Sequence, residues 1–118
     1  MSDIRTKRIY APADASDGTR VLVDRLWPRG ISKAKAGVDH WLRDVAPSDD
    51  LRKRVHAGEM SFEDFVAAYA RELESEPARG ALAELRDLAQ DGTVTLLFAA
   101  RDEERNNAAA LKRLLEDG

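Results

Sequence analysis

A near-continuous apolar run from Thr93 to Ala100 limits the fold of this chain more than any other segment. Its β-branched start and its length indicate a central strand that is buried on both faces. A second apolar run, from Val21 to Val23, has the same character and also ends in charged residues. Strands of this kind occur in sheets that are covered by helices, so we predict an α/β fold with these two runs as inner strands.

Periodic apolar positions and capping residues predict helices between the two inner strands and after the second one. Ser48 is predicted to cap a helix from Asp49 to Ala57, and Ser61 a helix that ends at Glu76. Three further helices are predicted: a short one capped by Asp39 that carries Trp41, Leu42 and Val45, one from Pro77 or Ala78 to Gln90, and a last one that Asp102 caps and that runs to the end of the chain.

The remaining segments complete the predicted architecture. The N-terminal segment is predicted to be an edge strand that Pro12 ends. The polar connection 11–19 is too short for a helical crossover, so the first two strands are either an antiparallel pair or not direct neighbours. Residues 31–37 lack clear periodicity and are interpreted as a loop. We therefore predict one small layered domain over residues 1–118, with a short, mostly parallel sheet and helices packed on it.

The composition excludes several classes of protein. The chain has no cysteine, which excludes disulfides, thiolate metal sites and cysteine nucleophiles. It has neither a glycine-rich phosphate loop nor the glycine pattern of dinucleotide-binding proteins, and its two histidines lack acids at ligand spacing, so we expect no cofactor and no metal site. We find no membrane span or secretory signal, and we expect a cytoplasmic protein.

Charged residues directly follow both inner strands. They are Asp24, Arg25 and Arg29 after the first strand, and Arg101 and Asp102 after the second. Charges at the end of an inner strand are costly unless they are paired or used, and ligands of open α/β sheets bind at the carboxyl ends of strands. The arginines, together with Lys33 and the first amides of the last helix, suit a phosphate or carboxylate. We therefore predict an anion site at this edge of the sheet.

Three residues near this edge, Asp24, Trp27 and His56, have either a functional or a purely structural interpretation. Asp24 pairs with Arg101 in a structural ion pair if the cluster serves only the fold. Trp27 either lines the pocket and stacks on a flat ligand or fills the core. His56 shares a helix face with Arg52, and it either transfers a proton beside the arginines or is a surface histidine at a helix C-terminus.

Several segments also resemble a known family. The motif VLVDRLWPRG from Val21 to Gly30 is followed by Lys33, Asp39, Trp41, the segment from Val45 to Ser48, Leu51 and Arg52, and further on by His56, Phe65, Tyr69, Glu72, Leu73 and residues 94–106. Over nearly the whole chain these residues resemble the YeaO-like family of bacterial proteins of unknown function, also called domain of unknown function 488. One departure is Phe98, which stands where a tyrosine is expected. The resemblance implies a compact α/β domain in the cytoplasm of a bacterium and no particular chemistry.

The resemblance also directs attention to signature positions, which are Asp24, Arg25, Trp27, Arg29, Lys33, Trp41, Ser48, Arg52, His56 and Arg101. Most of them coincide with the predicted anion site, and they add Ser48 and Arg52 to its ligand-binding residues. We predict an enzyme that binds a small phosphate- or carboxylate-bearing substrate and uses Asp24 or His56 for proton transfer. The alternative is a non-catalytic module that binds a ligand or nucleic acid. Nucleic acid is the less favoured partner, because the net charge of −3 and the pI of about 5.4 provide no overall positive field, although a local basic cluster exists. We predict no membrane partner.

Overall fold

The two apolar runs form neighbouring inner strands of one parallel sheet, as their sequences predicted. The computed structural model describes residues 3–117. Its strands are β1 (Ile4–Arg8), β2 (Thr19–Leu22), β3 (His40–Trp41) and β4 (Val94–Phe98). Their order across the sheet is β1-β4-β2-β3, and every pair is parallel. The N-terminal strand is therefore an edge strand, and it is not a direct neighbour of β2.

Within residues 3–117 the chain forms five α-helices and belongs to the α/β class. They are α1 (Lys33–Ala36), α2 (Asp49–His56), α3 (Phe62–Glu72), α4 (Ala78–Gln90) and α5 (Asn107–Asp117). Ser48 and Ser61 cap α2 and α3, as predicted, by accepting bonds from backbone amides. The α3 helix ends at Glu72 and not at Glu76, because residues 73–77 turn towards α4. No helix of this part of the chain is long and apolar enough to cross a membrane.

The sheet carries a separate hydrophobic cluster on each face, because side chains alternate along its strands. Leu96 and Phe98 belong to the larger cluster, in which buried residues of α2, α3, α4 and α5 cover what we call the helical face. Leu97 belongs to a smaller cluster on the opposite face, against which Trp27 and Trp41 pack. We call this second side the aromatic face. Only short segments cover it, so residues near the carboxyl edge of the sheet lie close to solvent.

Two predictions for residues 31–45 were wrong. Ser32 caps the short helix α1 where we expected a loop, and its hydroxyl accepts a hydrogen bond from Lys35 N at 3.2 Å. The helix predicted after Asp39 is instead strand β3 and a single 3₁₀ turn. The reason is tertiary: the backbone of β2 offers an unpaired edge, and Asp39 N and Leu42 N donate to carbonyl groups of Arg20 and Leu22.

The predicted cap of the last helix was also wrong. Asp102 accepts hydrogen bonds from Glu104 N and Arg105 N in a turn before the helix, and these bonds lower its pKa. The side chain of Asn106 caps α5, because its amide oxygen accepts from Ala109 N at 2.8 Å. The amides of α5 therefore begin farther along the chain than we predicted.

Basic residues in the strands of the aromatic face are neutralised internally. Lys7 Nζ and Arg20 Nη1 lie 2.8 and 2.6 Å from the two carboxylate oxygens of buried Asp17. Burial raises the pKa of Asp17, but the hydrogen bonds from Lys7, Asp14 N and Arg20 outweigh burial and leave the pKa below its ordinary value. Lys7 and Arg20 are therefore not available to a ligand.

Candidate functional site

Asp24 lies where the two inner strands end, but it does not pair with Arg101. One of its carboxylate oxygens accepts from Ala99 N at 3.0 Å, and the other accepts from Asn107 Nδ2 at 3.1 Å. Arg101 is exposed, and within residues 3–117 Asp24 forms no ion pair. The alternative of a structural Asp24–Arg101 pair is therefore wrong. Asp24 is instead a hydrogen-bonded connection between β2, the end of β4 and the start of α5.

The environment of Asp24 disfavours its charge. Burial raises its pKa, and the bonds from Asn107 and Ala99 together with the positive charge of Arg52 only partly oppose this effect. Arg52 is itself exposed and forms a 3.4 Å ion pair with Asp49. His56 is the exposed last residue of α2, where its cationic form suits the helix dipole. The structure thus brings the charge of Arg52 near Asp24, and it leaves His56 on the surface.

Arg25 and Ser48 line one hollow of about 200 Å³, which we call the acidic hollow. Arg25 Nη2 donates to Ala46 O at 3.1 Å, while its buried Nε has no partner. Ser48 donates to Glu72 through both its hydroxyl, at 2.6 Å, and its backbone N, at 2.9 Å. Glu72 therefore occupies the place at the start of α2 where an external anion would bind.

The charge of the acidic hollow does not suit an anion. Three carboxylates line it, from Asp44, Glu72 and Glu76, against the single guanidinium of Arg25. Tyr69 closes its inner side and donates its hydroxyl to Val45 O. Burial raises the pKa of Tyr69 far above its ordinary value, so it remains neutral. Two of the predicted ligand-binding residues, Arg25 and Ser48, thus have internal partners in an acidic setting.

A second hollow, of about 190 Å³, lies beside the carboxyl ends of β2 and β3. It is lined by Trp27, Lys33, Val38 and Trp41, and we call it the aromatic hollow. The two indole rings meet edge to face, with centroids 5.5 Å apart and planes at 72°. Trp27 Nε1 donates to Ile31 O at 2.8 Å, and Trp41 Nε1 donates to Asp24 O at 2.7 Å. Both rings are therefore held in place at the wall of the hollow.

Trp27 occupies both of the settings that the sequence left open, the core and the wall of a hollow. It packs on the smaller hydrophobic cluster, and it also lines the aromatic hollow. Trp41, which was named as a signature position but not as a ligand-binding residue, lines the same hollow. The guanidinium of Arg43 lies 4.4 Å from the centroid of the Trp41 ring, a distance typical of a cation–π contact. Arg43 was not predicted as a site residue, and Trp41 was named only as a signature position, because the predicted helix concealed their place at the sheet edge.

Arg29 and Arg101 are exposed at the carboxyl edge, near a further arginine that we missed. Tyr10 donates its hydroxyl to Arg29 O at 2.7 Å, and the Arg8 guanidinium lies 5.1 Å from the Tyr10 ring. Arg8 also donates to the carbonyl groups of Ala99 and Ala100, which directly precede Arg101. Arg8 is the last residue of β1, and its alternating position with Ile4 and Thr6 in the sequence was the available signal for Arg8.

The architecture is that of a small α/β protein with an all-parallel sheet and two hollows near the carboxyl ends of its strands. The chain belongs to the family described as the inactive DUF488-N3 subclade, whose family model matches residues 3–118. It is similar to "Uncharacterized protein YeaO" of Escherichia coli (strain K12), with 40% identity over 109 residues that cover 92% of this chain and 93% of that protein. It is also similar to "Uncharacterized protein Rv3073c" of Mycobacterium tuberculosis (strain H37Rv), with 44% identity over 112 residues, 95% of this chain and 92% of that protein. These matches confirm the YeaO-like resemblance. No solved structure matches the chain significantly.

Proposed function

We propose that the protein binds a small, flat, anionic ligand in the aromatic hollow and does not convert it chemically. The observation that carries this proposal is the convergence of two indole rings and one lysine on a single hollow. Indole faces attract planar rings, and an ammonium attracts phosphate or carboxylate. A ligand with a planar ring and an anionic group can stack its ring on Trp27 and pair its anionic group with Lys33.

The surroundings of Asp24 and His56 favour binding over turnover. Both carboxylate oxygens of Asp24 already accept internal hydrogen bonds, and His56 is exposed on the helical layer. The description of the subclade as inactive supports the same proposal. An enzyme remains the second candidate, because burial raises the pKa of Asp24, and raised carboxylate pKa values are typical of groups that transfer protons. The enzyme hypothesis predicts that the variant Asp24→Asn still binds the substrate but no longer converts it.

Intrinsic fluorescence tests the binding proposal directly, because Trp27 and Trp41 are the two tryptophans of the chain and both line the hollow. We expect adenosine monophosphate or an aromatic carboxylate to change this fluorescence, and inorganic phosphate to bind more weakly because it has no ring. Lys33→Ala should weaken binding roughly 10- to 100-fold, the effect of losing one charge-assisted hydrogen bond.

Lys35→Ala is the matched control, since Lys35 belongs to the same short helix but does not line the hollow. Its affinity for adenosine monophosphate should equal that of the wild type. Equal affinities of Lys33→Ala and wild type would contradict the proposed site. A fluorescence signal that no ring-bearing anion changes at millimolar concentration would contradict the proposed function.

A further inference from the structure

We propose that the natural ligand of the aromatic hollow is one base of a single-stranded nucleic acid, whose flanking phosphates contact the cations around the hollow. This inference rests on the proposed function, because it specifies the ligand of the same hollow. It begins with an uneven distribution of charge. The segment between Asp24 and Asp44 has five lysine and arginine residues and one acidic residue, Asp39. Residues 49–91, which include α2, α3 and α4, have 11 acidic and six basic residues.

Four of the five cations of this segment are free to contact a ligand, because only Arg25 is half-buried and donates to a backbone carbonyl group. Arg29, Lys33, Lys35 and Arg43 are exposed, and within the described residues 3–117 none of them forms an ion pair. The acidic residue of the segment is already used, because the carboxylate of Asp39 accepts from Arg20 N at 2.9 Å. In contrast, Lys7 and Arg20 on the same face of the sheet are neutralised by Asp17. Four uncompensated cations therefore belong to the segment that forms the hollow.

Exposed aromatic and aliphatic side chains lie close to these cations in the structure or in the sequence. Tyr10 and Leu26 are the exposed large hydrophobic residues of the described chain, with 42% and 69% of their surfaces accessible. Leu26 precedes Trp27 directly, and Tyr10 donates its hydroxyl to the backbone of Arg29. Proteins that bind single strands combine cations that follow the phosphates with aromatic rings on which bases stack. The Trp27–Trp41 pair supplies such rings, and Tyr10, whose hydroxyl contacts the backbone of Arg29, supplies a further exposed ring.

The number of cations favours a polymer over a mononucleotide. The aromatic hollow, at about 190 Å³, has room for a single base, and Lys33 alone lines it among the four cations. A mononucleotide leaves Arg29 and Lys35 without an anionic partner and Arg43 with only its contact to the Trp41 ring, whereas the neighbouring phosphates of a strand supply an anionic partner for each. A paired base has its ring faces covered by its neighbours in the duplex, so we infer a single strand rather than a duplex.

The test uses the full chain with a fluorescently labelled 12-nucleotide oligo(dT), and thymidine monophosphate as the single-nucleotide comparison. We expect the oligonucleotide to bind at least 10-fold more tightly at low salt and to quench the tryptophan fluorescence. Four phosphate contacts give a slope of log K against log salt of about −3, so the affinity should fall about 50-fold between 50 and 200 mM salt.

Variants separate this inference from the proposed function. Lys35→Ala should weaken oligonucleotide binding several-fold and make the salt slope shallower by roughly 0.7, yet leave thymidine monophosphate binding unchanged. Trp27→Phe keeps a ring and should retain most of the affinity, whereas Trp27→Leu should lose it. Lys53→Ala, an exposed lysine on α2, is the control and should have no effect.

Four results would overturn the inference. Binding of oligo(dT) no tighter than that of thymidine monophosphate would reject the polymer and leave the proposed function standing. Tighter binding of a duplex of the same length would reject the single strand. Binding that Trp27→Leu does not weaken and that heparin displaces completely would assign the cations to a general polyanion surface. Absence of binding by both the nucleotide and the oligonucleotide, with an aromatic carboxylate still bound, would reject nucleic acid alone.

Discussion

Asp24 connects more elements than its position at a strand end suggests. Its carboxylate accepts from Ala99 N and Asn107 Nδ2, and its carbonyl oxygen accepts from the Trp41 indole that lines the aromatic hollow. The residue thus fixes both the junction of β2 with β4 and one wall of the hollow. These bonds favour the carboxylate, but burial opposes it more strongly, so that the pKa rises.

The raised pKa of Asp24 predicts a specific dependence of stability on pH. Between its ordinary value of 3.8 and the raised value, the folded protein holds a proton that the unfolded chain has released. The stabilisation by the protonated group is therefore present at low pH and is lost as the pH rises through the raised pKa. Asp24→Asn cannot titrate, so the difference in unfolding free energy between wild type and variant should shift against the wild type as the pH rises.

Urea unfolding of both proteins at a series of pH values from 4 upward measures this difference. Groups with lowered pKa values, such as Asp17, contribute equally to both proteins and cancel. We also expect Asp24→Asn to cost about 1–3 kcal/mol at the low-pH end, because an amide has one acceptor oxygen for two donors. A difference that stays constant or grows in favour of the wild type with pH would show that the environment of Asp24 does not disfavour its charge.

At the scale of elements, local sequence signals decided which predictions were confirmed. The apolar run of β4, the serine caps of α2 and α3, and the apolar positions of α4 are contained in a few consecutive residues, and these elements were predicted. Strand β3 has two residues, and its conformation depends on pairing with β2, so its local sequence does not specify it. The apolar spacing of Trp41, Leu42 and Val45 resembles a helix, but the edge of β2 outweighs that weak preference.

The start of α5 provides a prediction at this scale. Asn106 caps the helix through Ala109 N, and its side-chain amide also donates to Asp102 O, whereas the carboxylate of Asp102 serves an exposed turn. Asn106→Ala should therefore destabilise the protein by about 1 kcal/mol, the typical cost of a lost helix cap. Asp102→Ala, its control, should cost less. Denaturant unfolding compares the two, and an equal or larger loss for Asp102→Ala would return the capping role to the residue that the sequence suggested.

At the scale of the whole molecule, the candidate site depends on which face of the sheet each segment covers. The sequence predicted that charged residues gather at the carboxyl edge, and it named Trp27 and Lys33 among the ligand-binding residues; in the structure these two line the same hollow. It did not separate Arg25 and Ser48, which lie in the acidic hollow, from the residues of the aromatic hollow. Whether a residue lies in the acidic or the aromatic hollow depends on the side of β2 along which its segment passes. The spacing of residues in the motif from Val21 to Gly30 does not indicate this side.

The two faces can be tested separately, because Leu96 and Leu97 are consecutive, fully buried residues of β4 that belong to different clusters. Either leucine-to-alanine change should cost about 2–5 kcal/mol, since each removes buried methyl groups and leaves a cavity. Leu97→Ala leaves its cavity beneath Trp27 and Trp41, so it should also shift the tryptophan emission and weaken ligand binding in the aromatic hollow. Leu96→Ala leaves its cavity under the helices, and the folded fraction should keep wild-type emission and affinity.

The measurement is tryptophan emission and ligand titration at a temperature where unfolding curves show both variants to be folded. Equal effects of the two changes on emission and affinity would mean that the faces are not independent, and that the hollow depends on the whole core rather than on its own cluster.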